Sequence, residues 1–118
     1  MANSQLSRVA AVCNVRFGKT GPIFFSQRGF STVARTALFA KGSYDLTMDP
    51  ETFGELHIEE LAILVSSNIQ EPDSGTRFYT INWYIADTAT LRIKIQQGQG
   101  EVIHYADADF CVVIYRTN

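Results

Sequence analysis

The chain has little of what would staple it, charge it or carry it through a membrane. Its two cysteines, Cys13 and Cys111, stand near opposite ends of 118 residues. That is too few and too far apart for the dense disulfide framework of a small secreted domain. They read as two reduced thiols acting as small hydrophobes; a bond between them would need the first and last strands to lie side by side. Its two histidines, His57 and His104, do not stand at zinc spacing from each other or from a cysteine. Charge of one sign is missing too: ten basic against twelve acidic residues leave a net charge of -2, with no block of like charge. This disfavours nucleic-acid binding through the phosphate backbone. No run approaches the roughly 18 unbroken apolar residues of a helical membrane span. Met1-Ala2-Asn3-Ser4-Gln5-Leu6 lacks the basic and apolar regions of a secretory signal.

What is present is a composition that packs: 46% hydrophobic and 12% aromatic residues in a chain of single-domain length. The hydrophobic period is mostly two. Val9, Ala11, Cys13, Val15 and Phe17 alternate along a first strand that ends at Gly18 and Gly21. Ile23 to Gln27 and Phe30 to Phe39 read as the next two strands, and Tyr44, Leu46 and Met48 alternate along another. Asp49-Pro50-Glu51 is a turn. Between Glu55 and Asn68 an amphipathic helix competes with a strand, and the β-rich Ile63-Leu64-Val65 favours a strand from Leu61 to Ser67. Arg77 to Ile85 places Tyr79, Ile81, Trp83 and Ile85 on one face, and Leu91, Ile93 and Ile95 alternate with Arg92, Lys94 and Gln96. Gly98-Gln99-Gly100 is a hairpin-type turn, followed by strands at Val102 to Tyr105 and Phe110 to Arg116. The expectation is one all-β antiparallel sandwich or barrel of about eight strands over residues 9–118, after a short polar arm at 1–8.

Several strands are apolar on both faces. If Cys13 and Phe17 face the core, Val12 faces out; if Tyr79, Ile81 and Trp83 face in, Phe78 and Tyr84 face out; if Phe110, Val112 and Ile114 face in, Val113 and Tyr115 face out. Val12, Phe78, Tyr84, Val113 and Tyr115 are therefore the candidate interface residues, and they point to self-association.

Catalytic and metal-binding patterns do not emerge. There is no G-x-S-x-G elbow, and His57 or His104 alone makes a weak case for a general base. Asp107 and Asp109 supply too few oxygens for calcium and read as a polar turn. Glu59 and Glu60 would point to opposite faces of a strand. Gly18-Lys19-Thr20-Gly21 lacks the glycine spacing and following helix of a phosphate loop. The expected chemistry is non-enzymatic, with no cofactor and no metal. Tyr44, Tyr79, Trp83, Tyr84 and Tyr105 form the pool from which an aromatic sugar-binding platform could be drawn, though burial claims most such rings.

Val12-Cys13-Asn14-Val15-Arg16-Phe17-Gly18-Lys19-Thr20-Gly21, with Ile23 after it, resembles the opening of a small β module of bacteriophage tail-fibre and related virion proteins. Gly42-Ser43-Tyr44-Asp45-Leu46-Thr47-Met48 is similar to an inner strand of that module, and Val112-Val113-Ile114-Tyr115-Arg116 to its closing strand. Val15 and Arg16 separate an Asn and a Phe that the family places together. The resemblance implies a jelly-roll-like sandwich that forms a homotrimer on the virion surface, after synthesis in the host cytoplasm. Its implied partners are further copies of itself, other virion proteins and a host surface glycan, and its place is a tail fibre or spike, or the capsid exterior as a decoration. The residues alone also allow a carbohydrate-binding, lectin-like module with no virion role.

Overall fold

The alternating runs are taken up as strands in a computed structural model that describes residues 9–37, 41–51, 61–67, 77–99 and 102–116. These are β1 (Val9–Gly18), β2 (Gly21–Arg28), β3 (Phe30–Arg35), β4 (Ser43–Met48), β5 (Leu61–Ser67), β6 (Arg77–Asp87), β7 (Thr90–Gln99), β8 (Val102–Tyr105) and β9 (Phe110–Arg116). One sheet has the order β2-β1-β9-β5, the other β3-β4-β7-β6, and β8 pairs with β7. Every pairing is antiparallel. The described residues are therefore all-β, in two layers.

The core is the sum of the inward-facing alternate positions. Ala11, Cys13 and Val15 of β1, Phe110, Val112 and Ile114 of β9, and Leu61 and Ile63 of β5 face Tyr44, Leu46 and Met48 of β4 and Leu91, Ile93 and Ile95 of β7. Full burial of each Leu, Ile or Val contributes about 1.5–3 kcal/mol. β6 presents Tyr79, Ile81, Trp83 and Ile85 to the same core, but they remain only partly buried. Val33 of β3 and Phe24 of β2 complete the packing on the other side.

Two glycines make the sheets fit. At Gly29, between β2 and β3, the chain leaves one sheet for the other with φ +89, and a Cβ there would lie 2.8 Å from that of Ala11. At Gly42 (φ +68) a Cβ would lie 2.4 Å from the Ile95 carbonyl oxygen. β7 changes neighbours at this point. The Ile95 N–H donates to the Gly42 carbonyl (2.7 Å), and the Ile95 carbonyl accepts from Ala106 N–H (3.2 Å). On one side of it β4 pairs as far as Lys94, and on the other β8 begins at Gln96.

Some boundaries differ from the expectation. The third strand stops at Arg35 rather than Phe39, because its partner β4 begins at Ser43, whose carbonyl accepts the last bond of the ladder from Thr36 N–H at 2.9 Å; Phe39 itself lies outside the described residues. Gly98 and Gln99 are strand, not turn: Gly98 pairs with Phe78 and Ile103, and Gln99 with Arg77 and Val102. Ladder bonds on both sides outweigh the turn preference of a glycine whose neighbours are already paired. β1 and β9 do lie side by side, yet Cys13 is opposite Val112 and Cys111 opposite Asn14. That offset of one residue sends the thiols to opposite faces, and both are free. Burial, reinforced by the nearby Cys111, pushes the Cys13 thiol up to about 12.

Candidate functional site

The outward positions of the β2-β1-β9-β5 sheet form a cross-strand apolar row. Val12 is opposite Val113, and Val113 is opposite Leu64 on its other side. Tyr115 is opposite Ala62 in the same ladder. Leu64, toward the sheet edge, is 60% exposed, whereas Val12, Val113 and Tyr115 are half-buried. A register shift at Asn14/Val15 leaves Phe25 65% exposed, with the Arg16 guanidinium 4.0 Å from its ring centre. Among the described residues of these strands there is no carboxylate. The face is apolar at its middle and basic toward β2, where Arg16 and Arg28 stand.

The opposite outer face, on the second sheet, is mainly polar and built around Asp45, with Ile103 exposed at its β8 side. Arg92 donates to it through Nε (2.7 Å) and Nη2 (3.1 Å), and its Nη1 donates to the Tyr84 hydroxyl at 3.0 Å. Thr36 Oγ1 donates to Asp45 at 3.0 Å and accepts from Ser43 Oγ at 2.7 Å. The Arg92 hydrogen bonds hold the Asp45 carboxyl below its ordinary value, with burial opposing and Thr36 assisting; the same contacts raise Arg92. Along β7 the next outward residues are Lys94, opposite Asn82, and Gln96, between Thr80 and Tyr105. Tyr84 and Tyr105 are 44% and 49% exposed.

A third cluster closes one end of the sandwich. Asp107 accepts two bonds from Arg35 (2.7 and 2.9 Å), one from Gly42 N–H (3.1 Å) and one from the Tyr44 hydroxyl. Burial alone would raise the Asp107 carboxyl, but the bonds from Arg35, Tyr44 and Gly42 outweigh it and bring the value to about 2. Burial, with Asp107 adjacent, raises the Tyr44 phenol. The Tyr44 ring packs on Phe17 and Phe110, with centroids 5.1 and 5.5 Å away. Asp109 accepts from Phe17 N–H at 3.2 Å. The Asp-Ala-Asp segment therefore works as a tie between β1, β3 and β4. Beside it an open groove of about 500 Å³ is lined by Thr20, Pro22 and the β3 end from Val33 to Ala37.

The structure thus brings Val12, Val113 and Tyr115 together and puts Tyr84 on the other sheet. Phe78 pairs through its backbone with Gly98, and its side chain is outside what is described. His57 and the pair Glu59 and Glu60 lie outside the described residues, as does the side chain of His104. Of the aromatic pool, Tyr44 is core and Tyr79 and Trp83 pack against it; Tyr84 and Tyr105 share the second sheet's outer face. Leu64 and Phe25 were not singled out from the sequence, although the unbroken apolar triplets Ile63-Leu64-Val65 and Ile23-Phe24-Phe25 carry the signal: three in a row cannot all face inward. Comparison of the chain with family models, with curated proteins and with solved structures finds no match.

Proposed function

We propose that the chain is a non-enzymatic structural protein of a bacteriophage virion, a surface-exposed homotrimeric β module of a tail fibre or spike or of the capsid exterior. The observation that carries this reading is the outward apolar row Val12–Val113–Leu64 with Tyr115 beside it, exposed at Leu64 and half-buried at the other three. A monomer gains nothing from an apolar stripe laid across the outside of a sheet, whereas a self-associating one buries it. The strand order supports the jelly-roll form. The first strand pairs with the last, β1 with β9, and inside that pair β4 pairs with β7, a nested arrangement suited to a doubled-over Greek key. The segments that resemble the virion module fall on β1 and its turn into β2, on β4 and on β9, all of them core strands. The best-placed polar groups, Asp107 with Arg35 and Asp45 with Arg92, are engaged in holding strands together, which fits a structural role.

Light scattering on the purified chain at micromolar concentration tests the assembly. A mass about three times 13.2 kDa is expected, and a single-chain mass overturns the trimer. Mass spectrometry of purified particles tests the location: the chain should be present in a fixed ratio to the other particle proteins, and its absence overturns the virion assignment.

A further inference from the structure

We infer that the outer face of the second sheet, between Tyr84 and Tyr105, is a binding platform for an acidic oligosaccharide, one bearing a carboxylate. The assignment rests on the fold and the face alone, and stands whether or not the chain belongs to a virion.

Three successive cross-strand rows make up the face. The first is Tyr84–Arg92–Asp45, the second Asn82–Lys94–Ser43, the third Thr80–Gln96–Tyr105. Successive outward residues of a strand are about 6.8 Å apart and neighbouring strands about 4.8 Å, so Tyr84 and Tyr105 stand at opposite corners, about 17 Å apart. That span suits a short oligosaccharide rather than a single sugar. An exposed tyrosine offers a sugar two things at once, an apolar ring face for its C–H groups and a hydroxyl for its own polar edge. Tyr84 is fixed for such a role: its hydroxyl accepts from Arg92, whose guanidinium lies 5.6 Å from the ring centre and is itself held by Asp45. Between the two rings the side chains are Asn82, Thr80 and Gln96, amides and a hydroxyl that both donate and accept.

Lys94 supplies the preference for a negative charge. It occupies the middle of the middle row; the nearby carboxylate, Asp45, feels its charge but takes its hydrogen bonds from Arg92 Nε and Nη2 and from Thr36. The Lys94 ammonium lies 5.7 Å from the Tyr105 ring centre, so the cation and a stacking surface adjoin. A sugar seated on Tyr105 with its carboxylate toward Lys94 would use both. The other outer face also sets a cation beside a ring, Arg16 over the exposed Phe25, but its other exposed large side chains, Leu64 and Ile23, are apolar and offer a sugar no hydroxyl.

The test is a printed array of sialylated, uronate-containing and neutral oligosaccharides, followed by titration of the bound acidic probe into the full chain. Binding to acidic members over matched neutral ones is expected. Lys94→Gln should weaken it about fivefold or more, and Tyr84→Ala and Tyr105→Ala each by about fivefold, with melting temperatures near that of the parent. Tyr105→Phe, which keeps the ring, should retain binding. Leu64→Glu, on the opposite sheet, should leave affinity unchanged even if it dissolves an oligomer. Absence of acidic-sugar binding, or binding indifferent to Lys94→Gln, overturns the assignment. Loss of binding in Leu64→Glu also overturns it, because the site would then lie between subunits.

Discussion

Asp107 accepts from Arg35, Gly42 and Tyr44 at once, so one carboxylate ties the end of β3 to the start of β4 and to the segment leading into β9. Its folded-state value of about 2 lies below the ordinary 3.8. The stabilisation is therefore complete above about pH 4 and is lost as pH falls through 2; the shift corresponds to roughly 2 kcal/mol. Asp107→Asn should cost about 2–3 kcal/mol at pH 7, below the penalty for a fully buried pair because Arg35 is partly exposed. Urea denaturation at a series of pH values checks this. The gap between parent and variant should be full at pH 7, shrink below pH 4 and be closed near pH 2. A gap that stays constant with pH would assign the loss to packing instead. None of this was legible in Asp107-Ala108-Asp109 as a sequence, where the nearest charge partner, Arg35, is in another strand altogether. Local spacing identified a polar turn, and only the sheet pairing supplied its partner.

At the scale of elements, the inward rows were readable because period two survives wherever one face of a strand is buried. Cys13 and Val15, Tyr44 and Leu46, Leu91 and Ile93, and Val112 and Ile114 all went to the core from alternation alone. The strand over Leu61–Ser67 was also recoverable, since its β-branched centre outweighed the acidic residues before it. Ends were harder. Gly98 looks like a turn residue until β6 and β8 flank it on both sides, and no local signal announces that. Gly42 illustrates the same dependence and gives a sharp expectation. Ala at this position must adopt φ +68 and push against the Ile95 carbonyl and the Ala106 backbone. Gly42→Ala should cost more than about 3 kcal/mol or prevent folding. A thermal melt within a few degrees of the parent would mean that β4 and β8 can move apart along β7.

For the whole molecule, the faces matter more than the strands. The sequence showed that Val12, Tyr84, Val113 and Tyr115 would point outward, but not that the sheet assignment would separate Tyr84 from the other three. One face is now an apolar row and the other a lattice of amides, hydroxyls and paired charges with Ile103 exposed beside Tyr105, and the two make different demands on a partner. Leu64→Glu should reduce the assembled mass to that of a single chain. It should change the stability of the isolated fold by no more than about 0.5 kcal/mol, because the side chain is mostly exposed there. Light scattering and a chemical melt of the same sample separate these effects. An unchanged mass would exclude the β5 side of this sheet from the contact.

The pairing of β1 with β9 has a bearing on how the protein is made. The two strands stand side by side at the centre of their sheet, joined from Val9 opposite Tyr115 to Val15 opposite Phe110, yet they are nearly the whole chain apart in sequence. Among the described strands, β5 joins that sheet through β9. During synthesis, therefore, β1 and β2 can form a hairpin early, and the second sheet can assemble through β8. The layer opposite it stays split, with the β1 edge open, until β9 has been made. Such distant pairing closes slowly, and the waiting edge is a template for the wrong strand. In a crowded cell, the interval before β9 arrives is when a strand of a neighbouring nascent copy would compete with β9 for that edge.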